Sequence, residues 1–354
     1  MNVPGLARVR QRIKSFANRF RRRAVVLLYH RVGDVAGDPQ LLSVGKDRFA
    51  QQVEFLSRHY PVLSLGTLAE ALAAGEDLPD QCVAVTFDDG YADNLTNAKP
   101  ILERHQVPAT VFVTTGHLDQ DQEFWWDELE RIFLHPSTLP PRCHLRIGER
   151  VLDQDLAEAV RYTEGDAERH RAWNVVRKDN PTVRHQIYRD LCALLRRSTP
   201  PERTATMRTL RAWSGIRVSA RETHRCLSSS ELKELGSGPL VEVGAHTVTH
   251  PVLAGLPVSE QRGEICESRE QLSRILGKSP RSFAYPFGTK SDFTSQTAAL
   301  VREAGFAVAC ANVPEVVTGG EDLYQLPRLI VRDWDREQFA GALKGWFAGK
   351  VQRC

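Results

Sequence analysis

The chain of 354 residues is long enough for one large domain with an insertion or for two smaller domains, which excludes a disulfide-stapled miniprotein. With 42% hydrophobic and 26% charged residues it has an ordinary globular composition, so a disordered or fibrous chain is excluded as well. The net charge of +3 hides a division, because residues 1–23 hold eight Arg or Lys and no acid and leave −5 on the rest.

Within residues 1–23, Leu6, Val9, Ile13, Phe16 and Phe20 recur at steps of three and four and predict a basic amphipathic helix. Such a helix either lies on an anionic membrane surface or packs or frays against its own body. No uncharged apolar run approaches the ~20 residues that cross a bilayer, and no secretory leader is visible. The expected location is the cytoplasm or the periphery of the inner membrane face, with no nucleic-acid partner. Seven cysteines lie far apart without a C-x-x-C pair and read as reduced, small core residues.

From Ala24 onward, β-rich runs alternate with amphipathic helical stretches. The predicted strands are residues 24–29 (AVVLLY), 82–87 (CVAVTF), 109–115 (ATVFVTT), 241–245 (VEVGA), 282–285 (SFAY), 306–311 (FAVACA) and 329–331 (LIV). Between them Phe49/Val53/Leu56, Leu65/Leu68/Leu72, Leu95/Ala98/Ile101/Leu102, Ile265/Leu272/Ile275 and Phe339/Leu343/Trp346 sit at helical spacing and mark core faces. Seven strands with interleaved helices predict βα units around a parallel sheet or barrel. The pattern breaks over residues 136–225, predicted as an inserted, mainly helical subdomain between the halves 24–135 and 226–354. Residues 142–225 carry 18 basic and 11 acidic side chains. Regularity resumes where Ser228 and Glu231 have capping-box spacing.

Several strand runs end in polar residues. AVVLLY leads into His30, CVAVTF into Asp88-Asp89-Gly90, and VEVGA into His246-Thr-Val-Thr-His250. In parallel βα folds the loops at the C-terminal strand ends converge over a rigid scaffold, so these groups are expected to meet. If the chain turns helically after its strand, His246 and His250 face one side and share a cation, with Asp89 completing a two-His, one-carboxylate set. Consecutive side chains leave an extended backbone on opposite sides, which frees Asp88 to act as a base. Taken singly, HxxxH also suits a packed helical pair, and Asp-Asp-Gly a turn.

The segments TFDDG (86–90), HTVTH (246–250) and R-x-F-x-YPFG (281–288) resemble, in that order, the first three motifs of the polysaccharide deacetylases of carbohydrate esterase family 4. The resemblance covers roughly residues 24–130 and 226–335. It implies a distorted (β/α)7 barrel, a divalent metal that is usually zinc with cobalt, nickel or manganese as alternatives, and hydrolysis of N-acetyl or O-acetyl groups on an acetylated glycan. Carried over by residue, it implies Asp88 as catalytic base, Asp89, His246 and His250 as metal ligands, and the backbone N–H of Tyr285 as oxyanion donor. It also implies that Arg281 or Arg328 orients Asp88.

The late Leu-x-His motif of the family, whose histidine protonates the leaving amine, has no match in YQLPRLIVRDWD (324–335). His30 is the expected replacement, against the alternative of a histidine bonded to a carbonyl. Trp125 and Trp126 of the FWWDEL segment suit either a glycan groove or the core. The expected function is metal-dependent deacetylation of a bacterial polysaccharide or lipid-linked glycan. The alternatives are a non-catalytic glycan-binding module and a deacetylase of a small glycolipid or amide.

Overall fold

A computed structural model describes residues 23–216 and 219–351; the amphipathic stripe of residues 6–20 and Cys354 lie outside the described residues. The sheet is built from β1 (Ala24–Tyr29), β2 (Cys82–Phe87), β3 (Ala109–Val113), β4 (Val241–Ala245), β5 (Ser282–Ala284), β6 (Val308–Cys310) and β7 (Leu329–Ile330). All neighbours pair parallel, in the order β6-β5-β4-β3-β2-β1-β7, so a curled half-barrel stays open between β6 and β7. Residues between those strands span the gap, Val317 pairing with Ala24 and Leu326 with Cys310. Each predicted strand is present, and those at 109, 282, 306 and 329 are shorter than their apolar runs because the chain leaves the ladder where it turns toward the loops.

β1 and β2 are buried at all six positions, which is why their sequences are continuous apolar runs. Alternate residues serve different layers. Val25, Leu27 and Tyr29 of β1 and Val83, Val85 and Phe87 of β2 pack under the surrounding helices. Ala24, Val26, Cys82, Ala84 and Phe112 pack inside the curl. The interior accepts only small groups at several points: a Cβ on Gly244 would stand 2.4 Å from the Phe112 ring.

The covering helices are α1 (Lys46–His59), α2 (Leu65–Ala74), α3 (Lys99–His105), α4 (Trp125–Phe133), α5 (Glu164–His170), α6 (Val183–Arg196), α7 (Pro200–Ser214), α8 (Ser229–Leu235), α9 (Val258–Leu276), α10 (Ser295–Glu303) and α11 (Arg336–Phe347). Ser228 and Glu231 form the capping box of α8. The helix expected over residues 95–102 instead begins as a π turn, Asn94–Ala98, before α3. Pro100 has no N–H to give to the carbonyl four residues back, so the first turn widens. That turn delivers the Asn94 amide to the His30 carbonyl at 2.9 Å.

Residues 137–214 lie outside the sheet. They hold a hairpin of Arg142–Ile147 with Arg150–Asp155, a short pair of Ser137–Thr138 with Arg161–Tyr162, and helices α5 to α7. Leu145, Tyr188, Leu191 and Leu210 from this region share one apolar cluster with Trp126, Leu129 and Phe133 of α4. This packing seats α6 and α7 beside the C-terminal end of the sheet. Among the described residues no helix is long and apolar enough to cross a membrane, and six cysteines are free thiols, four of them buried.

Candidate active site

Strand alternation sets the chemistry. Thr86 and Asp88 follow Cys82 and Ala84 at interior positions, as His30 follows Ala24 and Val26, and all leave the sheet at its C-terminal end. His30, Asp88, Asp89, His246 and His250 line one cavity of about 350 Å³.

The Asp89 carboxylate lies 3.6 Å from His246 Nε2 and 3.4 Å from His250 Nε2. One ligand atom from each of the three residues falls within 4.8 Å of the others, and all three residues are buried. The histidines do not meet through a helical turn, as their spacing suggested. Residues 246–250 form a loop in which Thr247 and His250 adopt φ of 63° and 56°. Glu264 of α9 accepts from the Val248 and Thr249 amides at 2.8 and 2.9 Å. Arg203 of α7 donates to the carbonyls of Thr249 and His250 at 2.7 and 3.2 Å. Glu264 lies 14 residues after His250 and Arg203 lies 43 residues before His246, and neither spacing gives a signal in sequence, so sequence reasoning misses both.

His246 Nδ1 faces the Ala284 carbonyl at 2.8 Å, which leaves Nε2 toward Asp89. Burial lowers His246 to about 4 and His250 to about 3, so both imidazoles are neutral at ordinary pH. Burial also raises the Asp89 carboxyl. Among the described residues the side chain of Asp89 accepts no hydrogen bond, and His250 Nδ1 is buried without a partner. A buried carboxylate facing two neutral imidazoles, with no donor between them, fits a divalent first-row cation.

Arg328 is wholly buried and grips Asp88 through two bonds of 2.7 Å, Nη1 to Oδ1 and Nη2 to Oδ2. Its Nη1 also reaches Thr86 Oγ1 at 3.2 Å. Burial alone would raise the Asp88 carboxyl, but the Arg328 charge, then His246, and the hydrogen bonds from Arg328 outweigh it and hold Asp88 at about 2. Arg281 is a correction. It precedes β5 at the opposite end of the strand, its side chain is 71% exposed, and it pairs with Glu70 at 2.8 Å.

Tyr285 is a second correction. The β5–β6 register runs one step past the strand end, so the Tyr285 N–H is spent on the Cys310 carbonyl at 3.1 Å. Its ring is buried against Phe293, its hydroxyl donates to the Tyr324 carbonyl, and neither reaches the cavity. The position that does is Phe287, whose N–H makes no hydrogen bond among the described residues. Phe287 has φ 58°, an uncommon conformation for a bulky residue, and its ring stands edge-on to His250 at 4.7 Å. The Pro286-Phe287-Gly288 turn was the available signal.

Trp125 and Trp126 both line the cavity but are 9% and 5% exposed. Trp126 stacks on Phe124 at 4.5 Å and donates to Tyr91 Oη at 2.9 Å, while Trp125 Nε1 is buried without a partner. His30 sits in the same cavity, where burial lowers its pKa against the pull of Asp89 and Asp88.

Residues 75–138 and 205–309 match the polysaccharide deacetylase family. An 86-residue stretch is 36% identical to the poly-beta-1,6-N-acetyl-D-glucosamine N-deacetylase of Escherichia coli K12, covering 24% of this chain and 13% of that protein. A 136-residue stretch is 26% identical to the putative polysaccharide deacetylase YxkH of Bacillus subtilis, covering 38% of this chain and 47% of the relative. The chain thus spans less than half the length of either relative. The fold is shared with the Streptococcus pyogenes deacetylase PplD, at 16% identity and TM-score 0.56 over 91% of this chain and 99% of that one. It is also shared with IcaB from Ammonifex degensii, at 20% identity and TM-score 0.56 over 92% and 97%. The matched segments hold the DDG, HTVTH and YPFG motifs, and over them the chain is similar to the polysaccharide deacetylase family.

Proposed function

We propose that the protein is a metal-dependent hydrolase that removes N-acetyl groups from an amino sugar in a bacterial polysaccharide or lipid-linked glycan. The observation that carries this reading is the pairing, in one cavity, of a buried two-histidine, one-aspartate set with a second aspartate clamped by Arg328. Asp89, His246 and His250 would hold the cation, zinc being the usual choice for such a set. When bound, it would supply Lewis acidity toward the acetyl carbonyl and the attacking water.

Asp88 is ionised throughout the physiological range and accepts the water's proton. Arg328 fixes the plane of its carboxylate, so the accepting lone pair is pre-aimed. A carboxylate held at about 2 is a weak base for free water, which ties its role to a loaded cation site. The Phe287 N–H, which has no partner among the described residues, would serve as donor to the negative oxygen that develops on the acetyl group. His30 supplies a proton to the departing nitrogen, because expulsion of an amine anion is prohibitive. The C–N bond breaks, the acyl carbon keeps the water oxygen, and acetate leaves beside a free amine.

Asp88→Asn tests the assignment. It should abolish acetate release from an N-acetylated oligosaccharide while leaving bound metal close to the wild-type level. Retained turnover in that variant would refute the role of Asp88.

A further inference from the structure

We propose that a second cavity, between the 36–39 loop and the inserted region, binds a protonated amino sugar, the class of residue that deacetylation leaves behind. The identity of the ligand rests on the deacetylase reading above; the pocket itself does not. The cavity measures about 360 Å³ and is bounded by Asp38, Glu164 and Glu168 with Tyr162 and His185.

Its charge runs against its surroundings. Residues 142–225 hold 18 basic and 11 acidic side chains, yet this cavity presents four carboxylates, with Glu130 the fourth, and one arginine, Arg171. Glu130 is engaged by Arg221 and His135. At the rim, Glu164 has no ion pair among the described residues, and Glu168 has only an exposed contact with Arg171 at 3.8 Å. Two carboxylates are therefore open to an incoming cation.

The second observation is inside the pocket. His185 is 1% exposed and lines the cavity; its Nδ1 meets Thr182 Oγ1 at 2.9 Å, and its Nε2 has no partner among the described residues. With Nδ1 protonated toward Thr182, Nε2 presents a lone pair suited to an ammonium or hydroxyl donor. Burial lowers His185 to about 4 and also lowers His170, so neither imidazole opposes a cation at neutral pH. An acetamide at the same place would bring no charge to the carboxylates and more bulk.

The two cavities are neighbours. Gln40 lines the catalytic one and Asp38 this one, and two residues span at most about 7 Å of chain. A polymer with one sugar in the catalytic cavity would meet the second pocket with a nearby sugar, so the protein should favour partly deacetylated chains.

Calorimetric titration of the full chain with a glucosamine tetramer tests this, with the N-acetylated tetramer titrated in the Asp88→Asn background, where it is not consumed. The Glu164→Gln/Glu168→Gln double variant should bind the glucosamine tetramer about tenfold more weakly, and His185→Gln should weaken it in the same direction. Affinity for the acetylated tetramer should not change in the double variant, and the glucosamine affinity should fall as salt is raised. Unchanged glucosamine affinity in the double variant, or an equal loss for both tetramers, would overturn the proposal. Neither titration reads hydrolysis, so a protein without acetate release but with charge-dependent amine binding refutes the deacetylase reading and spares the pocket.

Discussion

Arg328 and Asp88 are 240 positions apart in sequence and meet inside the half-barrel through two parallel 2.7 Å bonds, with the arginine wholly shielded from water. This pairing decides the protonation state of Asp88, because burial without it would push the carboxyl up. The folded-state value of about 2 lies below the ~3.9 of an unfolded aspartate, so the pair stabilises the fold above that unfolded value and loses its contribution as pH falls toward 2.

Arg328→Lys keeps a charge but loses the two-pronged geometry. We expect kcat to fall about 10²-fold or more and the acidic limb of the kcat/KM profile to move to higher pH. Arg328→Met leaves a buried carboxylate unpaired and should cost about 3–5 kcal/mol of stability in a denaturant melt. Arg281→Ala, at the far end of β5, should leave activity unchanged and stability within about 0.5 kcal/mol.

Glu264→Gln replaces an acceptor that serves two amides and the Thr249 hydroxyl with one that has a single carbonyl oxygen. The HTVTH loop should then hold His250 less firmly, and metal affinity should drop about 10–100-fold in competition with a chelator. Arg203→Met, which releases the same loop from α7, should act in the same direction.

Gly244→Ala should destabilise the protein by about 1–3 kcal/mol, because the new Cβ would collide with the Phe112 ring at 2.4 Å and with Ser282 Oγ at 2.6 Å. A thermal melt reads the loss directly.

Acidification should destabilise the fold well above the range where carboxylates titrate. His224 and His185 are buried, and burial holds them at about 2 and about 4, whereas an unfolded histidine takes a proton near ~6.5. Below that pH the unfolded chain binds more protons, so each histidine lowers stability by up to about 1.4 kcal/mol per pH unit. Asp127, raised to about 7 by burial, works in the opposite sense. His224→Gln should therefore be compared with wild type in urea melts between pH 7.5 and about 5, where its slope should be shallower.

Much of this arrangement was legible in the sequence. Strands buried on both faces announce themselves as continuous apolar runs, and parity along AVVLLYH and CVAVTFDD already aligns His30 with Asp88. Helical spacing suggests the histidine pairing, but a loop pinned by Glu264 and Arg203 achieves it, and no local pattern encodes contacts from α9 and α7. Arg281 and Arg328 each stand one residue before a strand, β5 and β7, and only the tertiary structure separates them: Arg328 is buried against Asp88, whereas Arg281 is exposed beside Glu70. The choice between Tyr285 and Phe287 depends on where the β5 ladder stops donating, one step beyond the strand's last residue.

The most direct test removes and restores the cation. Acetate release from an N-acetylated oligosaccharide should vanish after chelation and return in proportion to added divalent metal, reaching its plateau at one equivalent per chain. Release that survives chelation, or a plateau that is unchanged when His250 is replaced by Ala, would contradict a single cation held by Asp89, His246 and His250.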